Sequence, residues 1–587
     1  MIKKIFWRSL SVLVLSSLVS MLGVLVDGII IGQFLDDTAL AAYGLATPVT
    51  VLVIGVGCVI SSGASSLCSS SLGRGDTEEA SGVFSSACLS CVFIGLGLGV
   101  ASFVFIEPLA AFLGAPAENL PLASATEDFV LGYLAAIPAI LLTQLLSSLM
   151  YLENARNLAF IAAVVGTAIN IFGDILNVSL LSGGLLGIAL ATSVSYFAML
   201  MVLLSHFLRR EHLLKPKLSS ASWQGFLNLW RLGLPSADIQ VCSMIRSVVL
   251  NHLLFALASA PAVAAFSIRM SMYNLYGAFT LGFGMVALIL VSFYSGDEHV
   301  EAMHQVLRMS LKYGFFAMAV LAVLVSVAAD WLVSFYTSDE NVAAMASMSV
   351  RLFAASLPIF VINSVLAKHY QALKLSTISH AVTILENLVY ICPIAYLFSG
   401  ILSVDGVWLS FLAAEVLTLL TVFFIAFRKL KRMPVSLKDL MLLPEGFGAS
   451  AESRLFMDCR TKEDASLASE RAAAFFKSKG ADGKTANRLS ICIEELLLNF
   501  VLHGKRKGDS ADVVIGASEN EWTICLRDSS SPFDPRRWLE LHEKDSPGEE
   551  TGLGLKLVFQ AAHTLSYTHV LDMNQIKIAI PKSRKEE

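Results

Sequence analysis

Charge is scarce in most of this chain. Of its 89 Asp, Glu, Lys and Arg residues, 42 fall in the 137 positions from Ala451 onward, leaving 47 for the first 450. A soluble protein of that size cannot cover itself with so few polar groups, so the first part must face lipid. The net charge of −5 sums two unlike regions and says nothing about partners; no nucleic-acid partner is expected. Nine cysteines show no framework spacing, which excludes a disulfide scaffold. Cys88 and Cys91, inside an apolar helix, read as small-residue packing rather than metal ligands. No G-x-x-x-x-G-K-[ST] stretch is present, which argues against an ATP-driven pump of that type. Lys3, Lys4 and Arg8 precede an apolar run without an A-x-A site, so residues 1–30 read as an uncleaved first span.

What is present is a series of apolar runs. Twelve can be drawn, at about 5–34, 40–70, 80–106, 128–150, 158–179, 184–208, 228–258, 262–294, 307–336, 350–371, 376–399 and 404–428, each able to cross a core ~30 Å thick. The loops sort by charge. One side carries Lys3/Lys4/Arg8, Arg74, Arg156, Arg209/Arg210/Lys215/Lys217, Arg308/Lys312, Lys368/Lys374 and Arg428–Arg432. The opposite loops, 36–38, 115–128, 258–262 and 337–349, have no Lys or Arg. The positive-inside rule then puts both termini in the cytoplasm.

The chain also repeats. Ala39-Leu-Ala-Ala-Tyr43 resembles Ala262-Val-Ala-Ala-Phe266, and Arg74-Gly-Asp76 resembles Ser295-Gly-Asp297. Pro138 and Tyr151 match Pro358 and Tyr370, all at offsets of 219 to 223. Four pairs at a near-constant offset indicate duplication. Six spans per repeat, about 1–215 and 222–432, keep one orientation. That predicts two parallel six-helix bundles about an axis along the membrane normal, with the substrate site between or within them.

Carboxylates inside the spans are the next signal, because burying one costs at least ~2.5–3.5 kcal/mol on insertion scales. Asp27 lies about 10 Å from the end of span one. Asp174 lies at similar depth in span five, Asn170 one turn earlier on the same face, and Thr192 near that level in span six. No basic residue of this half matches their depth, so the pair should hold a proton or a cation. In the second half Arg246, Glu386 and Glu415 fall near mid-membrane, with Asp238 deeper and Arg269 shallower. Both signs are present, which favours an internal ion-pair network over substrate contact.

On Val26-Asp-Gly28…Gly32, Leu72-Gly-Arg-Gly-Asp76, Leu232-Gly-Leu-Pro-Ser236 and the twelve spans, the first ~430 residues resemble the multidrug and toxic compound extrusion (MATE) family. The resemblance implies two six-helix lobes forming a V, alternating access, and exchange of a small organic substrate, including cationic ones, for Na⁺ or H⁺. It implies a multi-pass protein of the cell membrane, here a bacterial inner membrane. The family's N-lobe cation site uses a span-one Asp, an Asn-x-x-x-Asp in span five and a span-six Thr, which Asp27, Asn170, Asp174 and Thr192 match. Some members add a span-ten carboxylate, and span ten here offers only Asn363.

Residues 433–450 read as a Pro/Gly-containing linker, and 451–587 as a soluble domain. Strands at 454–459, 512–517, 521–527, 566–572 and 574–580, with helices at about 464–478, 483–503 and from Gly554, predict an α/β two-layer sandwich, a mixed sheet with helices on one face. Three patches carry chemistry. Glu495-Leu-Leu-Leu-Asn499 puts a carboxylate and an amide one turn apart, ahead of His503-Gly504. Asp528 ends a strand before Pro532-Phe-Asp-Pro535, and Thr551-Gly-Leu-Gly-Leu555 opens a helix whose N–H groups can take phosphate. Together they resemble the N, G1 and G2 boxes of the GHKL ATPase superfamily, closest to its anti-sigma-factor serine kinases, with a short lid at 536–551. Carried over, Asn499 would bind Mg²⁺, Glu495 would be general base, Asp528 would accept from the adenine of ATP, and Gly552 and Gly554 would cradle phosphate. Ser530 stands where that superfamily has Gly.

These resemblances imply a cation-coupled exporter whose cytoplasmic domain binds ATP and either regulates transport or phosphorylates a protein of the anti-sigma-antagonist type. Two other readings compete with it. A lipid-linked oligosaccharide flippase would need basic residues lining the N-half. A membrane sensor-kinase, in which the transporter-like part only detects ligand, would not need the acidic site.

Overall fold

The computed structural model describes residues 1–582 apart from 36, 116–119, 209–211, 218–221, 338, 444–446, 448–453, 505–509, 518–520, 543–555, 557 and 560–561. Helices α1 (Ile2–Phe34), α2 (Asp37–Gly73), α3 (Thr77–Val104), α4 (Ile106–Leu113), α5 (Leu120–Leu134), α6 (Ile137–Leu149), α7 (Arg156–Leu176) and α8 (Gly184–Leu204) build the first half. After the connecting α9 (Trp223–Gly233), the second half consists of α10 (Pro235–Gly296), α11 (Val300–Ser334), α12 (Glu340–Ala372), α13 (Ser376–Ile384), α14 (Ile391–Leu402) and α15 (Val404–Leu430). Among the described residues eleven helices are long and apolar enough to cross a membrane, and α5 with α6, bent by 49°, makes a twelfth span. That bend sits just before Pro138, whose ring cannot continue the ladder. The expected break near 258 is a sharp kink inside α10, where Ala258 and Ser259 leave helical geometry (Ser259 φ 56°) ahead of Pro261. Large apolar side chains such as Phe93, Phe103 and Val327 stay exposed along these helices, as lipid-facing positions require.

The repeat reappears as geometry. Ser66 Oγ lies 3.0 Å from Ser292 Oγ, and Ser69 Oγ donates to Ile289 O at 2.6 Å. Gly73 sits against Phe293 O, and Gly296 against Ser70 O. Each contact exchanges with another under the same 223-residue offset that separates Gly73 from Gly296. A two-fold pseudo-axis therefore runs between α2 and α10. Where they touch, the two halves are closed.

The segment after α15 is not loose. Helix α16 (Leu437–Leu440) starts with a Ser436 capping box. Tyr370 Oη donates to Leu440 O at 3.0 Å, His369 Nε2 lies 3.2 Å from Met441 O, Lys429 Nζ donates to Leu442 O at 2.8 Å, and Met441 and Leu442 are buried. The soluble part has β1 (Arg454–Cys459), α17 (Lys462–Ser478), α18 (Gly483–Asn499) ending in a wide π turn to Gly504, β2 (Ala511–Ala517), β3 (Glu521–Asp528), α19 (Pro535–His542), β4 (Thr564–Val570) and β5 (Met573–Pro581). The strands pair in the order β1-β2-β3-β5-β4. All four pairings are antiparallel, so the sheet is not mixed as expected. One face, with Val513, Ile515, Ile524, Leu526, Ile576 and Ile578, packs under α17 and α18. The other face rests on the membrane part.

Candidate functional site

Two close approaches bring α1, α7 and α8 together. A Cβ on Gly23 would meet Asn170 Oδ1 at 3.3 Å and Thr167 Cγ2 at 3.6 Å, and one on Gly173 would meet Ala191 Cβ at 2.7 Å. Bare backbone at these positions lets α1 and α8 come down onto α7, and Thr167 Oγ1 donates to Val19 O at 3.2 Å. In the resulting pocket Asn170 Nδ2 donates to Thr192 Oγ1 at 3.3 Å. The Asp27 carboxyl lies within hydrogen-bonding reach of both Asp174 and Asn170. All four sequence-picked residues thus converge. Asp27, Asn170 and Asp174 are buried.

Neither Asp174 oxygen nor Asp27 Oδ1 meets a donor, and among the described residues neither carboxyl forms an ion pair. Two like charges about 4 Å apart repel by about 4 kcal/mol at an effective dielectric near 20. Two ionised carboxylates this near each other oppose one another. A proton shared between them, or a cation held by carboxylate, amide and hydroxyl oxygens, removes the conflict. Tyr43 and Tyr196 lie within electrostatic range of Asp27. Sequence reading passed over them because a lone membrane Tyr carries no spacing signal.

The second half differs from expectation. Among the described residues no salt bridge joins Arg246 or Arg269 to Glu386 or Glu415. Arg246 NH1 instead donates to Asn387 O at 3.0 Å and Oδ1 at 3.3 Å, and Asn363 Nδ2 donates to Glu415 Oε2 at 2.8 Å. Arg269 sits among the rings of Phe411, Phe266 and Phe353, 4.0, 4.8 and 4.9 Å from their centroids. Aromatic faces and amides take the place of counter-charges. Asp238 does pair with a base, His380.

In the soluble domain Glu495 and Asn499 lie one turn apart on α18, both half-buried. Asp528 is buried at the end of β3, and its Oδ1 accepts from Ser530 N at 2.8 Å and Asn574 Nδ2 at 2.9 Å. Its Oδ2 takes no hydrogen bond among the described residues. Asn574 in turn donates to Ser530 Oγ at 3.0 Å, and Tyr567 Oη donates to Asn574 Oδ1 at 2.8 Å. Ser530 is therefore built into the turn that fixes Asp528. Asn574 was missed, although an Asn within a strand is a depleted and hence informative choice. Gly552, Gly554, His503–Gly504 side-chain placement and most of the lid lie outside the described residues.

Comparison with known proteins decides the family. The MatE family profile matches residues 13–176 and 235–397, more than half of the chain. This chain belongs to the MATE family. The histidine kinase-like ATPase domain matches residues 460–580. The multidrug export protein MepA of Staphylococcus aureus is 22% identical over 415 residues, covering 70% of this chain and 90% of MepA. MepA of Staphylococcus saprophyticus is 22% identical over 433 residues, covering 73% and 94%. Among solved structures, a multidrug resistance MATE transporter of the MOP superfamily in an outward-facing conformation superimposes with TM-score 0.69 at 21% identity, over 73% of this chain and 96% of that one. A MOP superfamily transporter from Pyrococcus furiosus gives 0.68 at 21% identity, over 74% and 97%. The MATE fold, a multi-pass membrane protein with an ATPase-like domain appended, is thereby shown.

Proposed function

We propose that this MATE protein is a Na⁺- or H⁺-coupled exporter of small organic compounds, with a cytoplasmic nucleotide-binding domain that regulates it. The coupling reading rests on one observation: the Asp27 and Asp174 carboxyls meet beside Asn170 and Thr192 without a basic partner. Such a pair binds one positive charge tightly and releases it when the helices around it shift, which is what coupling to an ion gradient requires. Export of organic compounds is supported by the multidrug export relatives. A cytoplasmic position for both termini is supported by the loop charges, and a bacterial cell membrane by the staphylococcal relatives.

For the soluble domain, Asn499, Glu495 and Asp528 offer the group types that Mg·ATP needs: an amide oxygen for the metal, a carboxylate, and an Asp528 Oδ2 without a partner among the described residues for an amino group. When bound, Mg·ATP would supply a phosphoryl group for transfer. This chain's own part is to hold the base through Asp528 and Asn574 and to place Glu495 one turn from Asn499. Regulation of the transporter is favoured over a free-standing kinase because the domain is seated against the membrane part.

The test is transport by the purified protein in liposomes under separately imposed Na⁺ and H⁺ gradients, with and without ATP. Asp27→Asn or Asp174→Asn should abolish gradient-driven export at near-normal expression. Wild-type rates in both variants would sink the coupling assignment.

A further inference from the structure

The sheet of the soluble domain has two faces, and only one is covered by its own helices. The opposite face meets the membrane part where α2 and α10 close on each other. Its contacts fall on both halves. Toward the first half, Gln575 Nε2 donates to Gly73 O at 3.2 Å and Lys577 Nζ to Arg74 O at 2.7 Å. At the β4–β5 turn Asp572 pairs with Arg8 at 3.1 Å and with Arg156, and Asn154 Nδ2 lies 2.9 Å from His569 Nδ1. Toward the second half, Arg527 and Arg454 both reach Asp297. The Arg527 guanidinium lies 5.3 Å from the Phe293 ring centroid, and Phe456 stacks on His299 at 4.2 Å. Val570, Leu571 and Met573 are buried in the core of the membrane part itself.

These anchor points are related by the pseudo-axis. Gly73–Arg74 and Asp297 belong to the two loops that the duplication makes equivalent, so the sheet straddles the seam between the halves. The route by which the domain is attached is one-sided. Helix α16 and its neighbours bond to His369, Tyr370 and Lys429, all of the second half, and Lys438 pairs with Glu301 of α11. The domain is thus carried by the second half and clasps the first.

We propose that the open sheet face is a docking surface for the first half, and that while it is engaged this face of the transporter stays shut. Opening the substrate path here requires the ends of α2 and α10 to part. A rigid sheet bonded to both halves cannot follow that movement without releasing Asp572, Gln575 and Lys577 from their partners. None of these three residues belongs to the carboxyl pair or to the nucleotide residues.

The test uses the full chain in liposomes. Ser66 is fully buried in the α2–α10 seam, so Ser66→Cys is shielded while the seam is closed, and its reaction rate with a membrane-permeant thiol reagent reports the open fraction. Adding Asp572→Asn and Lys577→Ala, which touch neither the carboxyl pair nor the nucleotide residues, should raise that rate about tenfold, a shift of about 1.4 kcal/mol in the closing equilibrium. Native Cys91, buried in the first half, is the internal control. Faster labelling at position 66 with Cys91 unchanged supports the clasp. No change at 66, or an equal rise at Cys91 that marks general loosening, overturns it. Closure of the seam in Ser66→Cys/Ser292→Cys by oxidation, retained in the clasp variant, shows that the helices still fold and meet.

Discussion

Gly73 and Gly296 are the narrowest points of the seam, and replacing either by Ala is a quantitative probe of it. A Cβ at Gly73 falls far inside contact distance of Phe293 O, and one at Gly296 falls inside that of Ser70 O. Both obstacles are backbone, so no side chain can turn away. Ordinary carbon–oxygen contact then needs the helices to part by roughly 1.5 Å, since dispersion wells sit near 3.5 Å. That displacement strains Ser66–Ser292 at 3.0 Å and Ser69–Ile289 at 2.6 Å. Overpacking costs about 1–3 kcal/mol, and each weakened hydrogen bond about 1 kcal/mol. The closed state should therefore lose about 3–5 kcal/mol relative to the open one, raising the open fraction at least about a hundredfold. Because one displacement relieves both clashes, Gly73→Ala and Gly296→Ala should act alike, and the double variant should cost little more than the worse single one. Thiol labelling of Ser66→Cys in each background measures this. Additive effects, or labelling unchanged in both single variants, would refute a seam set by these two glycines.

Three further outcomes are expected. Burial, then the Asp458 carboxylate, raises the Asp512 pKa to about 8, with Arg527 at 3.4 Å and Asp528 and the Met1 amine also facing it. Its contribution is complete below the unfolded value and is lost as pH rises through 8. His299, pushed down to about 4 by burial, acts in the opposite sense but only below 6.5. Melting temperature should thus fall between pH 6.5 and 8, by at most about 1.4 kcal/mol per unit, and Asp512→Asn should flatten that slope; an unchanged slope would remove Asp512 as its cause. Mg·ATP at a hundredfold excess over Kd should stabilise the full chain by about 2.7 kcal/mol in a thermal-shift assay. Asn574→Ala should weaken that shift through Asp528, and if no shift occurs at all, Ser530→Gly should restore it. Finally, exposed Leu120→Cys should react with an impermeant reagent from outside intact cells and exposed Met433→Cys should not; the reverse pattern would invert the orientation.

Much of this was legible because the bilayer imposes strong rules. Charge depletion and apolar run length marked the spans, and the near-constant offset marked the duplication that now appears in reciprocal α2–α10 contacts. That Asp27 and Asp174 come together beside Asn170 and Thr192 was legible because carboxylates in lipid are rare; their use as an ion site is the proposal. Less legible was anything resting on small or ordinary residues. Gly23, Gly173, Gly73 and Gly296 look alike in an apolar run, yet their neighbours decide which helices touch. The ion-pair expectation for the second half failed because opposite charges around one cavity need not bond: Arg246, Arg269, Glu386 and Glu415 line the same small space, yet Arg269 lies among aromatic rings and Arg246 donates to an amide.

The docking face was hidden for a different reason. In a strand, side chains alternate between faces, so Arg454, Asp512, Arg527, Gln575 and Lys577 read as the solvent side of a two-layer domain. In fact Arg527 is fully buried against the membrane part. The same alternation places pocket and clasp back to back. Asp528 follows Arg527 on β3, and Asn574, which holds Asp528, precedes Gln575 on β5. These residues sit opposite each other in the register, Asp528 on Asn574 and Arg527 on Gln575. Any tilt of β3 against β5 that improves the grip on a base must move the pair that grips the transporter. If the two events are coupled, thermodynamics makes the coupling mutual: whatever factor docking contributes to nucleotide affinity, nucleotide returns to docking. An ATPase-like domain seated in this way needs no hydrolysis per cycle to govern a MATE transporter. It needs only to bind differently when the seam is open and when it is shut.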